Sequence, residues 1–341
     1  MAKDIPVVKW NPEDAKHDLT MVLSARMGGP PMPQPGKSKF NRGLSKAFIE
    51  QLAEEAKKAS WWADVLNDPK LFVAVRHNYL NVYWRGQSLF LVKPGPKVTT
   101  HVKFLLDPEL DDQVLLVERE FKIGDLQDRG FVRRYEDPKT LTKMKKASGL
   151  FSGLEKTGCH EIEVNNPEVI DCEIAFGGTV PLENGSDKKG ARRVDLAFLE
   201  RGNGEDARLV FWEAKHYSNP ALHAEDGRPV PVCDQVKRYE KYLSDTDNHK
   251  AVVNSYTRVA ENLVDIRDMG LRRPLSPLII EVGTGKRTLT LDPEPKVGLI
   301  IFGFKQAEKG YPGWKHLLDR LKSEVKTVVA VGDAKGIRLK L

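Results

Sequence analysis

Asp195, Glu213 and Lys215 are the residues whose types and spacing could do chemistry. Asp195 lies in one apolar run, residues 194–199 (Val-Asp-Leu-Ala-Phe-Leu), and Glu213 and Lys215 lie in a second, residues 209–215 (Leu-Val-Phe-Trp-Glu-Ala-Lys). The polar segment between them, residues 201–206, is rich in Gly, Asn and Asp, so the two runs read as a β-hairpin. Side chains two apart on a strand share a face, which puts Glu213 and Lys215 together and turns Ala214 away. Charged groups rarely occupy such apolar strands without a partner or a metal. Two carboxylates without Cys or clustered His are hard oxygen ligands that suit Mg²⁺ or Mn²⁺ better than Zn²⁺. Such an ion polarises a phosphate oxygen and acidifies its water, while a neighbouring lysine orients that water or stabilises developing charge. The matching reaction is phosphodiester hydrolysis. The same residues also fit a strand-end aspartate beside an ordinary surface ion pair, because D…ExK spacings are frequent in a chain that is 30% charged.

The elements that position these side chains are two strands of a sheet covered on both faces, with the carboxylates at its rim, and a helix over residues 234–243. Gln235 and Tyr239 are four apart on that helix and so lie on one face. A tyrosine at that spacing is also ordinary half-buried packing, and it gains meaning from the triplet upstream.

Asp195, then Glu213-Ala214-Lys215 beginning eighteen residues later, then Gln235 and Tyr239 on a following helix, resembles the PD-(D/E)XK nuclease superfamily, in particular its RecB-like branch with a Q-x-x-x-Y helix. The resemblance implies an α/β fold with a restriction-endonuclease-like core: a central mixed β-sheet flanked by helices, in the order α-β-β-β-α-β. It further implies Mg²⁺-dependent cleavage of nucleic acid, with Asp195 and Glu213 as metal ligands and Lys215 positioning the attacking water. An acidic residue on the helix before the first core strand often completes such a site; Glu155 is the first choice by position, with Glu161 and Glu50 behind it. Val194 stands where the family's familiar Pro precedes the Asp, a departure shared by many members. The resemblance covers residues 151–341 and says little about 1–150. Prokaryotic defence, including antiviral defence, restriction and repair are the contexts it suggests.

Length and composition agree with a globular chain. At 341 residues it can bury one large core or two modest ones, and 40% hydrophobic residues are enough for it. A net charge of +6 and a pI near 9.0 favour a polyanionic partner, DNA above all, although 54 basic against 48 acidic residues also fits a mixed surface. Three cysteines without a C-x-x-C pair predict free thiols in a reducing compartment, and no run of eighteen apolar residues occurs. A cytoplasmic protein without a membrane span is expected, acting alone, as a homo-oligomer or as a subunit of a larger complex.

In chain order, residues 1–40 read as an extended arm or linker, because the Gly- and Pro-rich stretch 28–36 cannot continue a helix. An N-terminal α/β region follows over 41–150. Its helix is expected from about Leu44 to about Leu66, with Asn41 as a possible cap, and a hairpin over 79–92 turns at Arg85-Gly86-Gln87. Residues 98–106 suggest a strand, and 114–121 fit a helix or an extended segment. Tyr79, Tyr83 and Trp84 fit either base stacking or sheet packing, and the four lysines in 139–146 fit either a phosphate grip or a solvated helix face.

The nuclease-like core, 151–341, is expected to begin with strands over 169–176 and 191–199 joined by a turn at 183–187. Arg192 and Arg193 are candidate nucleic-acid-binding residues there, since guanidinium matches phosphate geometry; they could equally balance local acids. The polar stretch 216–232 should border the active-site cleft. A helix over 248–269, a hairpin pairing 278–282 with 288–291, a strand over 297–304, a helix over 314–325 and a last strand at 327–331 complete the expectation. Ile280 and Arg287 break the P-loop pattern around Lys286, and His216 with His223 lacks the partners of a zinc site. Two other readings remain: a catalytically silent nucleic-acid-binding subunit, and an RNA-directed nuclease.

Overall fold

Alternating apolar residues in the first half pair into a four-stranded antiparallel sheet, and longer apolar runs further on pair into a six-stranded mixed one. The computed structural model describes residues 40–109, 116–121, 130–176, 193–202, 204–223, 228–305 and 312–339. The Ser45 hydroxyl accepts the Phe48 N–H at 3.3 Å and so starts helix α1 (Lys46–Ala56). A second helix, α2 (Trp61–Asn67), follows a break. The single helix expected over 44–66 is thus two, and its cap is Ser45, because Gly43 at φ 130° turns the chain just before it. Asn41 instead accepts a hydrogen bond from Arg258.

Strands β1 (Phe72–Val75), β2 (Leu80–Trp84), β3 (Gln87–Lys93) and β4 (Lys97–Thr99) form the first sheet in that order. Arg85 and Gly86, with φ of 47° and 68°, make the β2–β3 turn, whose left-handed residues match the twist of the flanking strands. The strand expected over 98–106 ends early, in a 3₁₀ turn at Val102–Leu105. Residues 116–121 are extended, as β5 (Leu116–Val117) paired with β6 (Glu120–Phe121). Helices α3 (Pro138–Gly149) and α4 (Leu154–Asn165) come next. Gly158 does not interrupt α4; a Cβ there would stand 2.0 Å from the Phe302 ring, so the glycine lets the helix lie close against the sheet.

The second sheet begins with β7 (Val169–Ala175), β8 (Arg193–Arg201) and β9 (Ala207–His216), an antiparallel succession with Leu196 opposite Trp212. The expected turn at 183–187 lies outside the described residues. Helices α5 (Pro231–Ser244), α6 (Thr246–Asp268) and α7 (Pro277–Gly283) then lead to β10 (Leu289–Leu291), β11 (Val297–Phe302), α8 (Pro312–Glu324) and β12 (Val328–Val331). Residues 278–282 are therefore helical and not one arm of a hairpin. Ser276 accepts the Ile279 N–H and Pro277 occupies the first turn, a helix start that a short apolar run cannot reveal by periodicity. Both β10 and β11 run parallel to β9, beside its first and second halves respectively, so β9 is paired along both edges.

One apolar cluster joins the two sheets, taking in Val73, Val82 and Phe90 from the first and Val194, Phe211 and Leu299 from the second. Fully buried side chains of this size each contribute about 1.5–3 kcal/mol. A buried ionic knot lies in the same region. The Asp171 carboxylate takes Arg76 in a short ion pair, Arg42 at 3.6 Å and the Tyr256 hydroxyl at 3.0 Å, tying β7 to β1, α6 and the segment before α1. All three cysteines are free and buried, and among the described residues no helix is long and apolar enough to cross a membrane. Asp171→Ala would leave two guanidinium groups buried without their carboxylate, so urea denaturation is expected to show a loss of about 3–5 kcal/mol. A loss below about 1 kcal/mol would mean that the knot does not hold the two sheets together.

Candidate active site

The C-terminal half of β9 presents Glu213 and Lys215 on one face, the face on which Phe211 enters the core shared with α5 and α6. Beside it on β8, the Asp195 Oδ2 accepts the Ala214 N–H at 2.8 Å, which fixes the carboxylate against the backbone of its neighbour. The Lys215 ammonium is the common partner. It lies 2.5 Å from Glu213 Oε1, 3.5 Å from Glu155 Oε1 and 3.9 Å from Asp195 Oδ2. Glu155 arrives from the first turn of α4, and its Oε2 accepts the His216 N–H at 3.2 Å and the Asn219 side-chain amide at 2.5 Å.

Helix α5 explains the second motif. Val232, Val236, Tyr239 and Leu243 are buried at helical spacing and press the helix onto the sheet, which brings Gln235 over Glu213. The Gln235 amide donates to Glu213 Oε1 at 2.8 Å and to the Tyr239 hydroxyl at 2.7 Å. The Tyr239 hydroxyl then donates to the Arg193 carbonyl at 2.8 Å. One chain of hydrogen bonds thus fixes both the Glu213 carboxylate and the start of β8, two residues before Asp195.

Exposure divides the group. The Glu213 and Lys215 side chains are 1% and 9% exposed, whereas Asp195 and Glu155 keep 19% and 31%. Solvent or a ligand therefore reaches the group from the Asp195 and Glu155 side. The burial of Glu213 rules out the ordinary surface pair. Three carboxylates around one ammonium leave two negative charges in excess when all are ionised, inside a poorly solvated site. Burial, countered in part by Lys215 and the Ala214 N–H, pushes the Asp195 carboxyl up to about 7. Burial and the nearby Asp195 push Glu213 well above the ordinary carboxylate range. Burial opposes the Lys215 charge, yet Asp195, Glu213 and Glu155 outweigh it and hold the ammonium more firmly than in a free lysine. Burial and then Glu213 raise the Tyr239 hydroxyl, which stays a neutral donor.

Of the residues selected from the sequence, the structure brings together Asp195, Glu213, Lys215, Gln235, Tyr239 and Glu155. Glu50 sits on the exposed face of α1, 4.0 Å from Lys46, and Glu161, half-buried two turns along α4 from Glu155, has no contact with the group. Arg192 lies outside the described residues. The Arg193 guanidinium is 3.2 Å from Glu173, the charge-balancing alternative, and its backbone carbonyl serves Tyr239. Lys143 and Lys145 are paired with Asp107 and Asp68 at 2.9 and 2.5 Å, while Lys139 and Lys146 are exposed. Tyr83 is buried, and Trp84 packs against His160 and Lys145, so these two aromatics serve the sheet rather than a base. Asn219 belongs to no motif in the sequence; its place in the polar stretch just after Lys215 is the one signal that points to it.

Among the described residues, no group of three or more His, Cys, Asp or Glu side chains is arranged to hold a metal ion as it stands, since the carboxylates share the Lys215 ammonium. The donor set nevertheless suits a hard cation. Glu213 Oε2 is buried and has no hydrogen-bond partner, and the local charge is negative once the carboxyls give up their protons.

The folded chain keeps the Asp195 proton up to about pH 7, whereas an unfolded aspartate loses it near pH ~3.9. Stability therefore falls as pH rises between those values and levels off above them. Asp195→Asn removes this cost. It is expected to melt higher than the parent at pH 8 and at the same temperature at pH 4; melting below the parent at pH 8 would contradict the charge excess. No family model matches the chain, and no curated protein or solved structure matches it, so what the site does must be argued from its own geometry.

Proposed function

We propose that this chain is a metal-dependent nuclease that hydrolyses phosphodiester bonds of DNA, with Mg²⁺ or Mn²⁺ as cofactor. The observation that carries the reading is the buried, unpartnered Oε2 of Glu213 in a cluster with more carboxylates than cations. Resemblance to the PD-(D/E)XK superfamily supports it, and so does the element order: α4, β7, β8, β9 and α5, followed by β11 parallel to β9.

In this reading Asp195 and Glu213 hold the ion, and Glu155 completes the site from α4. A divalent cation held there would supply Lewis acidity toward a phosphate oxygen and lower the pKa of an attacking water. Lys215 orients that water and stabilises charge developing on the phosphate, a role for which its firmly held proton suits it. Gln235 is a positioning residue: it shares Glu213 Oε1 with Lys215 and leaves Oε2 for the ligand. Tyr239 holds Gln235 and the start of β8 in register. A second reading, a silent nucleic-acid-binding subunit, is favoured by the close Lys215–Glu213 pair, which already satisfies part of the carboxylate charge.

Digestion of single-stranded DNA, duplex DNA and RNA, each with Mg²⁺, Mn²⁺ or EDTA, separates these readings. DNA cleavage that requires the divalent ion, and that Asp195→Ala abolishes and Lys215→Ala lowers by about a hundredfold or more, is expected. Cleavage persisting in both variants would reject the assignment; binding without cleavage would select the silent subunit, and RNA as the only substrate would redirect the activity. Gln235→Ala is expected to lower metal affinity or turnover by about 10- to 100-fold while the melting temperature without metal changes little. An unchanged metal titration in that variant would remove Gln235 from the site.

A further inference from the structure

Leu150 and Phe151, just after α3, and Leu154, the first residue of α4, expose 77%, 43% and 70% of their surface within five residues of chain; Val102, Leu106 and Val117 are the other large apolar side chains exposed among the described residues. Leu154 is the residue before Glu155, whose carboxylate reaches Lys215, so the apolar group adjoins the candidate active site along the chain. The connection that carries it is held in place. The Gln87 side-chain amide donates to the Phe151 carbonyl at 2.8 Å, and the Ser152 hydroxyl donates to the Arg85 carbonyl at 3.0 Å, fixing residues 151 and 152 on the β2–β3 turn. These apolar groups are therefore displayed by a built support.

Charge around the patch says what would cover it. The Lys103 ammonium lies 4.7 Å from the centre of the Phe151 ring. Lys156, exposed on α4, packs its stem against Gly86, where a Cβ would come within 2.8 Å of it. Residues 138–156 contain five lysines and a single carboxylate, that of Glu155. Lys143 and Lys145 are neutralised by Asp107 and Asp68, which leaves Lys146, in the last turn of α3, and Lys156, in the first turn of α4, exposed beside the connection, with Lys139 exposed at the far end of α3. An apolar protein surface satisfies the platform and leaves these cations without partners. A nucleic-acid strand satisfies both, because its bases are apolar faces and its phosphates are anions.

We propose that Leu150, Phe151 and Leu154 receive unstacked bases of a strand whose backbone enters the Asp195–Glu213–Lys215 centre, so that the substrate engaged there is unpaired, as a single strand or a frayed end. The proposal deepens the nuclease reading and rests on it for the position of the scissile phosphate. Stacking against apolar and aromatic side chains tolerates any base, so the platform confers a preference for exposed bases without a preference for sequence.

The test measures binding of the full chain, in EDTA so that no cleavage occurs, to three labelled ligands: a mixed-sequence single-stranded 20-mer, an abasic strand of the same length, and a blunt duplex. The parent is expected to bind the base-bearing strand about tenfold or more tightly than the abasic one, and more tightly than the duplex. In F151A/L154A, whose exposed positions leave the fold intact by circular dichroism, that preference is expected to vanish while abasic binding stays the same. Equal binding of base-bearing and abasic strands by the parent, an undiminished preference in the variant, or no binding of any ligand would overturn the platform. So would a dimer of the parent that the double variant dissociates, because a second copy would then be the occupant. Metal-dependent cleavage is scored separately. Cleavage by a parent without base preference leaves the nuclease reading standing and removes the platform, whereas base preference without cleavage under any metal does the reverse.

Discussion

A single ammonium, that of Lys215, faces three carboxylates at the end of a strand whose other side chains are almost all apolar, and the rest of the structure is arranged around that imbalance. In water the surplus charge would be dispersed by solvent. Here Glu213 is almost wholly enclosed, so Asp195 and Glu213 retain protons well above their ordinary range and Lys215 keeps its own. Such a cluster is relieved either by binding a proton or by binding a cation. In the reading proposed above, the second form of relief is the binding of a divalent ion.

The fold supplies what the imbalance needs. Pairing along both edges makes β9 rigid, so Glu213 and Lys215 cannot drift apart from Asp195 on β8, whose carboxylate is fixed by the Ala214 N–H. Helix α5 closes one side through Gln235 and Tyr239, and α4, brought close by Gly158 against Phe302, delivers Glu155 from another. The first sheet contributes at a distance: it is locked to β7 by Asp171 and its arginines, and its β2–β3 turn carries the connection that leads into α4.

The triplet was legible in the sequence because strand periodicity is strict: two apolar runs around a polar turn leave little choice about which residues are neighbours and which share a face. Gln235 and Tyr239 were legible as a pair by their spacing, but their joint effect, a hydrogen-bond chain from Glu213 to the backbone of Arg193, needs coordinates. Glu155 could only be ranked above Glu50 and Glu161, since choosing among carboxylates on helices requires knowing how each helix docks. The segment 278–282 reads as strand or helix equally well by composition, and the Ser276 cap decided it locally. The contact of Asn219 with Glu155 depends on tertiary packing that no local pattern encodes, whereas the break between α1 and α2 is marked locally by Ser60, which precedes α2 and whose hydroxyl donates to the Glu55 carbonyl.

Anomalous diffraction from crystals soaked in Mn²⁺ shows whether the Asp195–Glu213 cluster takes up a divalent ion. The account predicts a peak bonded at about 2.1 Å to Glu213 Oε2 and to the Asp195 carboxylate, with the Lys215 ammonium moved off Glu213. Full Mn²⁺ occupancy elsewhere on the molecule, with the Lys215–Glu213 pair unchanged and no peak between Asp195 and Glu213, would contradict it.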